Sequence, residues 1–245
     1  MRQWWVLTTR GLASIVRSGE IVFALASPVV LAVCFYIPLK SQMNQTMDYA
    51  SFLMPVIALQ ATAFVASAAA VRVAFDRVNG INTRFRTLPM GLMTPPSARL
   101  AANAVLLVAS LFCAALVSLI IGWRPHGGVA GTAGLFALAF AVGVALVLIA
   151  DGIGLLAGTP EATSQVLTLP VLVLGMLSTG FMPVEKFPDW VEPFVRNQPI
   201  SAFADAMRAL NTGSAGSIVP ALWWAAGLLA VGAALVVVAT GRVRR

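Results

Sequence analysis

The chain has 245 residues, 59% of them hydrophobic and only 10% charged, with a mean hydropathy of +0.89. Soluble domains carry about a quarter of their residues as charges, so this composition excludes a soluble globular protein and defines an integral membrane protein. The formal net charge of +7 would favour nucleic-acid binding in a soluble chain; here arginine and lysine held on one side of a bilayer account for it, and no nucleic-acid partner is implied. Cys34 and Cys113 each sit in an apolar run, where a thiol acts as a small buried hydrophobe rather than as half of a disulfide or metal site.

The first element, 1–18, spaces Trp4, Trp5, Leu12, Ile15 and Val16 as a helix does, with Arg2, Arg10 and Arg17 between them. It reads as an amphipathic helix at the membrane surface, its tryptophans at headgroup level. A basic start followed by an apolar run also resembles a signal peptide. However, the run at 21–39 has 19 uncharged residues, longer than an h-region of about 7 to 15, and no A-x-A site follows, so a retained first span is expected. Uncharged runs at 49–71, 100–123, 129–150, 162–183 and 218–241 complete six predicted transmembrane helices, each near or above the ~20 residues that cross about 30 Å of hydrocarbon. The whole of 1–245 reads as one transmembrane domain, all-α, without internal repeat or soluble module.

Six spans put both termini on one side. With the N-terminus inside, eleven of the sixteen Arg and Lys face the cytoplasm and five face out, which orients both termini inward. The most basic segment is the first inner loop, 72–99. It holds Arg72, Arg77, Arg84, Arg86 and Arg99 against the single acid Asp76, with turn-formers Asn79, Gly80, Pro89, Gly91, Pro95 and Pro96. It is the best candidate for contact with a soluble partner. Arg84, Phe85, Arg86 and Leu88 are expected on a short helix ended by Pro89, in a composition suited to a protein interface.

Outside, residues 180–210 are too charged to span. Yet Phe187, Trp190, Val191, Phe194 and Val195 fall on one helical stripe, and Phe203, Ala206, Met207 and Leu210 on another. Pro188 and Ser201 are the expected helix starts and Asn211 and Gly213 the stop. The expectation is a short outer helical hairpin over 184–210, between the fifth and sixth spans. Phe187, Trp190 and Phe194 would face the bundle as an outer gate, with Glu185, Asp189 and Glu192 in water.

No catalytic constellation is present. His126 is the only histidine, the nine acids are scattered, and neither Lys40 nor Lys186 follows a glycine as a phosphate-cradling loop requires. The chain is therefore not expected to hydrolyse ATP or to bind a metal. Polar residues inside spans are costly and mark helix contacts or substrate paths. A hydrogen bond between helices is the commoner role, and Gln60, Asn103, Ser178 and Thr179 are the substrate-path candidates. Glu20 and Asp151 read as boundary or ion-paired charges. Small residues such as Ala66 to Ala70, and Gly131, Gly134, Gly143, Gly152 and Gly154, suit close helix packing in lipid.

This layout resembles the permease subunits of ABC-2 type (type V) exporters, in particular the daunorubicin/doxorubicin-resistance permeases of actinobacteria. Gly180-Phe181-Met182-Pro183, Phe187-Pro188-Asp189-Trp190, Asn197-Gln198-Pro199 and Ala206-Met207-Arg208 are similar to that family's outer hairpin. Asp76-Arg77-Val78-Asn79-Gly80 running to Leu88-Pro89 is similar to its acid, Gly and Pro pattern in the loop that docks on the ATPase, although Asp76 stands where many relatives have Glu. The resemblance implies a bacterial plasma-membrane protein exporting a hydrophobic or amphipathic drug, glycolipid or polyketide-like lipid. Two separate ATPase subunits would bind the ATP and Mg²⁺, and a second permease, identical or paralogous, would complete the assembly. Asp76, Arg77, Gly80, Arg84, Phe85, Arg86, Leu88 and Pro89 would form the coupling loop. The alternative from another class is an ATP-independent secondary transporter or channel; a membrane enzyme ranks third.

Overall fold

The computed structural model describes the backbone of residues 2–43, 48–86, 89–91, 93–156, 159–181, 184, 187–214 and 218–242, without the side chains of 41–43, 82, 83, 86 and 242. Among the described residues there are ten helices and no strand. They are α1 (Arg2–Arg17), α2 (Glu20–Met43), α3 (Tyr49–Val78), α4 (Ile81–Arg86), α5 (Thr94–Ile121), α6 (Gly128–Leu156), α7 (Pro160–Met176), α8 (Glu192–Asn197), α9 (Pro199–Thr212) and α10 (Val219–Arg242). Five of them, α2, α3, α5, α6 and α10, are long and apolar enough to cross a membrane. The long helices run antiparallel in sequence, so the bundle has a basic end, with α1 and α4, and a hairpin end, with α8 and α9.

The chain turns from α1 into α2 at Gly19, whose φ of +74° suits glycine. Inside α2, Pro28 has no N–H to give the Ala24 carbonyl. The orphaned oxygen accepts instead from Ser110 Oγ of α5 at 2.9 Å and from Ser27 Oγ at 3.2 Å, so a break in one helix becomes a bond between two. One helical turn further along α5, Cys113 Sγ donates to the Leu25 carbonyl at 3.2 Å. Cys113 is half-buried as expected, but Cys34 is exposed on the outer face of α2, and both are free thiols.

α3 is the most buried of the long helices, and beside it the glycines of α6 set that helix's distance from three neighbours. A Cβ on Gly143 would stand 2.8 Å from a Leu107 methyl of α5 and 3.1 Å from a Thr62 methyl of α3; one on Gly152 would stand 2.7 Å from Leu235 of α10. Gly232 of α10 returns the contact, 2.8 Å from Leu148. Such approach is the route to strong dispersion contact between helices that gain no hydrophobic drive from lipid. Trp123 and Met207 fill the core at the hairpin end, and Ile15 of α1 packs with Val65, Leu107 and Val147 toward the basic end.

Several predicted boundaries change: α5 begins at Thr94 rather than at 100, and α6 runs on to Leu156 rather than to 150. α3 continues to Val78, so Arg72, Asp76 and Arg77 lie on a helix rather than in a loop. The fifth predicted run, 162–183, is helical only to Met176. At 1.5 Å per residue its 17 residues reach about 25 Å.

Candidate functional site

At the basic end, charged side chains from five helices meet. Arg72 of α3 pairs with Glu20 of α2 at 2.6 Å, and its Nη1 donates to Asn103 Oδ1 of α5 at 3.2 Å. Arg99 of α5 reaches Asp151 of α6 at 3.4 Å, where Asp151 is 1% exposed. Both acids are ion-paired, in line with the sequence reading, but their partners are more than fifty positions away in the chain. Arg10 of α1 and Asp76 of α3 line the same small cavity with Arg72, Arg99 and Asn103. Arg10 also sits over the Phe85 ring of α4, 5.6 Å from its centroid, and Gln3 Nε2 of α1 donates to the Pro89 carbonyl at 3.3 Å. The surface helix α1 is thereby fastened to the basic loop.

Of the predicted coupling residues, Asp76 and Phe85 line this cavity, while Arg77, Arg84 and Pro89 are exposed. Gly80, with φ +68°, makes the turn between α3 and α4. Arg86 ends α4, which carries Arg84 and Phe85 as the expected short helix, and Leu88 lies outside the described residues. Arg10, Glu20, Arg72, Arg99 and Asp151 were not among the predicted site residues; the signal for them was that each is a lone charge beside or within an apolar run.

At the hairpin end, α9 clamps the segment that leaves α7. Gln198 Nε2 donates to the Leu177 carbonyl, one of the acceptors orphaned at the α7 C-terminus. Thr179 N–H donates to Ser201 Oγ at 3.0 Å, and Thr179 Oγ1 donates to Asp205 Oδ1 at 3.1 Å. Arg208, paired with Asp205 at 2.9 Å, donates to the Phe52 and Gly180 carbonyls and stacks 3.8 Å above the Phe52 ring. Burial pulls the Arg208 guanidinium below its ordinary pKa, and Asp205 pulls it back up. On the other side, Trp123 Nε1 donates to Asn211 Oδ1 at 3.0 Å.

These contacts explain why α7 stops at Met176: the Leu177 N–H still reaches the Val173 carbonyl, but the Ser178 N–H tightens onto Gly175, and the Leu177 carbonyl and Thr179 bond to α9 instead of continuing the ladder. They also correct the hairpin reading. α8 starts at Glu192, with Pro193 in its first turn, and α9 at Pro199, rather than at Pro188 and Ser201, and Gly213 ends α9 at φ +66° as expected. Trp190 is 84% and Phe194 50% exposed in the chain, so neither faces the bundle; Phe187 is half-buried in the preceding turn. α8 starts at Glu192, only after Trp190, and turns Val195 inward, where it is fully buried.

The four substrate-path candidates are not brought together. Asn103 belongs to the basic-end network, and Ser178 and Thr179 belong to the hairpin clamp, with Ser178 Oγ donating to the Gly175 carbonyl at 2.6 Å. Gln60 alone faces an apolar cavity between α3, α6 and α7.

A helical bundle of this kind, with apolar helices that cross a membrane, charges gathered at one end and no metal-binding cluster among the described residues, defines a multi-pass membrane protein. Residues 32–242 match the model of the ABC-2 family transporter proteins, and the chain belongs to that family. It is 34% identical over 218 residues to the doxorubicin resistance ABC transporter permease protein DrrB of Mycobacterium tuberculosis, covering 85% of this chain and 75% of that one. It is 29% identical over 196 residues to the daunorubicin resistance ABC transporter permease protein DrrB1 of Streptomyces coeruleorubidus, 80% and 67% of the two chains. The probable doxorubicin resistance ABC transporter permease protein DrrC of Mycobacterium tuberculosis is 24% identical over 181 residues, 73% and 65% of the two chains.

Proposed function

We propose that this protein is the membrane-spanning permease subunit of an ATP-driven exporter that moves a hydrophobic or amphipathic compound out of a bacterial cell. The observation that carries the reading is the family match over 32–242, together with relatives named as ABC transporter permease proteins. In this reading α2, α3, α5, α6, α7 and α10 are six spans, α1 lies at the inner face of the plasma membrane, and both termini are cytoplasmic. ATP and Mg²⁺ belong to two copies of a separate ATPase subunit, and a second permease, identical or paralogous, completes the path.

The coupling loop is then the α3 end with α4: Asp76, Arg77, Gly80, Arg84, Phe85, Arg86, Leu88 and Pro89. The contact of Phe85 with Arg10 supports it, because a push on α4 reaches α1 and, through the arginines around Asp76, the long helices. The outer gate is the α8–α9 hairpin. Trp190 and Phe194 are its outward-turned aromatics, available to the second permease or the headgroup layer, with Phe187 half-buried behind them. The decisive experiment is reconstitution with the ATPase subunit in vesicles, with doxorubicin as probe, with and without ATP. ATP-dependent accumulation is expected. ATP-independent transport by this chain alone would overturn the reading in favour of a secondary transporter or channel.

A further inference from the structure

An apolar cavity of about 300 Å³ lies inside the single chain. One wall is Val56, Gln60 and Ala63 of α3 and another is Val142, Leu146 and Ile149 of α6, each set at helical spacing. Pro170 and Leu174 of α7 close the third side, and Phe181 and Phe203 roof it toward the hairpin end. This volume falls at the lower end of small-molecule pockets, about 300 to 1,000 Å³, and Val166 of its lining is itself exposed.

Gln60 is the single polar side chain in the lining, and its amide has no hydrogen-bond partner among the described residues. An unpaired amide in apolar surroundings is costly. The wall formed by α7 separates the cavity from the outside of the bundle: Leu169, Leu172 and Val173 on its other face are exposed. Pro170 removes the N–H that the Val166 carbonyl would otherwise accept, so this wall is softened at its centre.

We propose that this cavity is a ligand site within one chain, taking the apolar body of an amphipathic compound whose hydrogen-bonding group meets the Gln60 amide. The proposal rests on the exporter reading above and names where one subunit holds its hydrophobic ligand. Two sources supply that chemistry: the transported compound, and an acyl chain with its ester carbonyl from a bilayer lipid.

The test uses the permease with its ATPase partner in nanodiscs. Doxorubicin binding is read by fluorescence anisotropy, and the lipid arm uses a phosphatidylcholine carrying a diazirine in its acyl chain. If the transported compound is the occupant, Gln60→Leu weakens doxorubicin binding about tenfold, as the loss of one hydrogen bond does. Ala63→Phe, which fills the cavity, abolishes binding, while Leu172→Phe on the opposite face of α7 leaves it unchanged. If a lipid is the occupant, photo-adducts form on Val142, a residue of the cavity wall that is 2% exposed, and they disappear in Ala63→Phe. Wild-type doxorubicin affinity in both Gln60→Leu and Ala63→Phe, with no adduct on Val142, overturns the proposal; Gln60→Leu, close to isosteric, keeps the test valid should Ala63→Phe fail to fold. ATP-driven transport measured on the same complex separates the two readings. Intact transport with an empty cavity sinks this inference alone, and occupancy without ATP-driven transport sinks the exporter reading.

Discussion

Asp151 and Arg99 illustrate what a buried charge does in this bundle. Removing one partner of such a pair strands the other and costs about 3–5 kcal/mol, whereas replacing both with apolar residues is often neutral. Arg99→Leu is therefore expected to lower the thermal midpoint of the purified protein in detergent sharply, and Arg99→Leu with Asp151→Leu to recover most of the loss. A double variant as unstable as the single would show that Asp151 has a role apart from Arg99. Phe85 makes a separate case, because its ring is half-buried under Arg10 and carries no charge of its own. Phe85→Ala is expected to leave yield intact while reducing transport per ATP hydrolysed several-fold in the reconstituted complex. Unaltered coupling would remove Phe85 from the proposed ATPase contact. Both charges of the Arg99–Asp151 pair were visible in the sequence, but their pairing was not: 52 positions separate them, and hydropathy reads only neighbours along the chain.

Helices are where the sequence reading and the structure agree best, and the disagreements have a common cause. The apolar runs found α2 and α10 closely and located α5 and α6, though α5 begins at Thr94 ahead of its run and α6 ends at Leu156 beyond its own, because each must be largely apolar to meet lipid. α3 overran its predicted end because Arg72 is satisfied by Glu20 and Asn103, which lets a charged residue stay on a helix. α7 fell short because Gln198, Ser201 and Asp205 supply the bonds that its last turn would have made. Gln198 was recognised by resemblance as part of a motif, without a role, since its partner Leu177 is 21 positions away. The role now has a local consequence. Gln198→Leu removes the donor and leaves the Leu177 carbonyl unmet, a loss of about 1 kcal/mol. Amide hydrogen exchange at 178–181 should accelerate five- to tenfold, with exchange in α6 unchanged. Equal protection in the variant would mean that α7 ends there for reasons intrinsic to 175–180.

The whole molecule has a charge asymmetry that its fold turns into a geometric one. α1, α4 and the starts of α2, α5 and α7 gather at the basic end, while the α8–α9 hairpin closes the other around Trp123 and Arg208. Positive charge retained on the cytoplasmic side predicts which end faces in. Val78, 62% exposed at the end of α3, and Ser214, exposed just past α9, mark the two ends. With Cys34 and Cys113 replaced by alanine, Ser214→Cys is expected to react with a membrane-impermeant maleimide in intact cells, and Val78→Cys only after permeabilisation. The same pair also tests α7. The hairpin packs against the α6 N-terminus, where a Cβ on Gly134 would stand 3.3 Å from Leu210, so it stays at that end however α7 runs. From Leu156 at the basic end the chain reaches the hairpin only through α7, whose ~25 Å plus the clamped 177–181 segment has to cover most of the hydrocarbon depth of about 30 Å. Labelling of Ser214→Cys from outside with Val78→Cys protected therefore means that α7 crosses the membrane despite its 17 residues. Labelling of Val78→Cys in intact cells with Ser214→Cys protected would invert the protein in the membrane and overturn the docking of a cytoplasmic ATPase on α4.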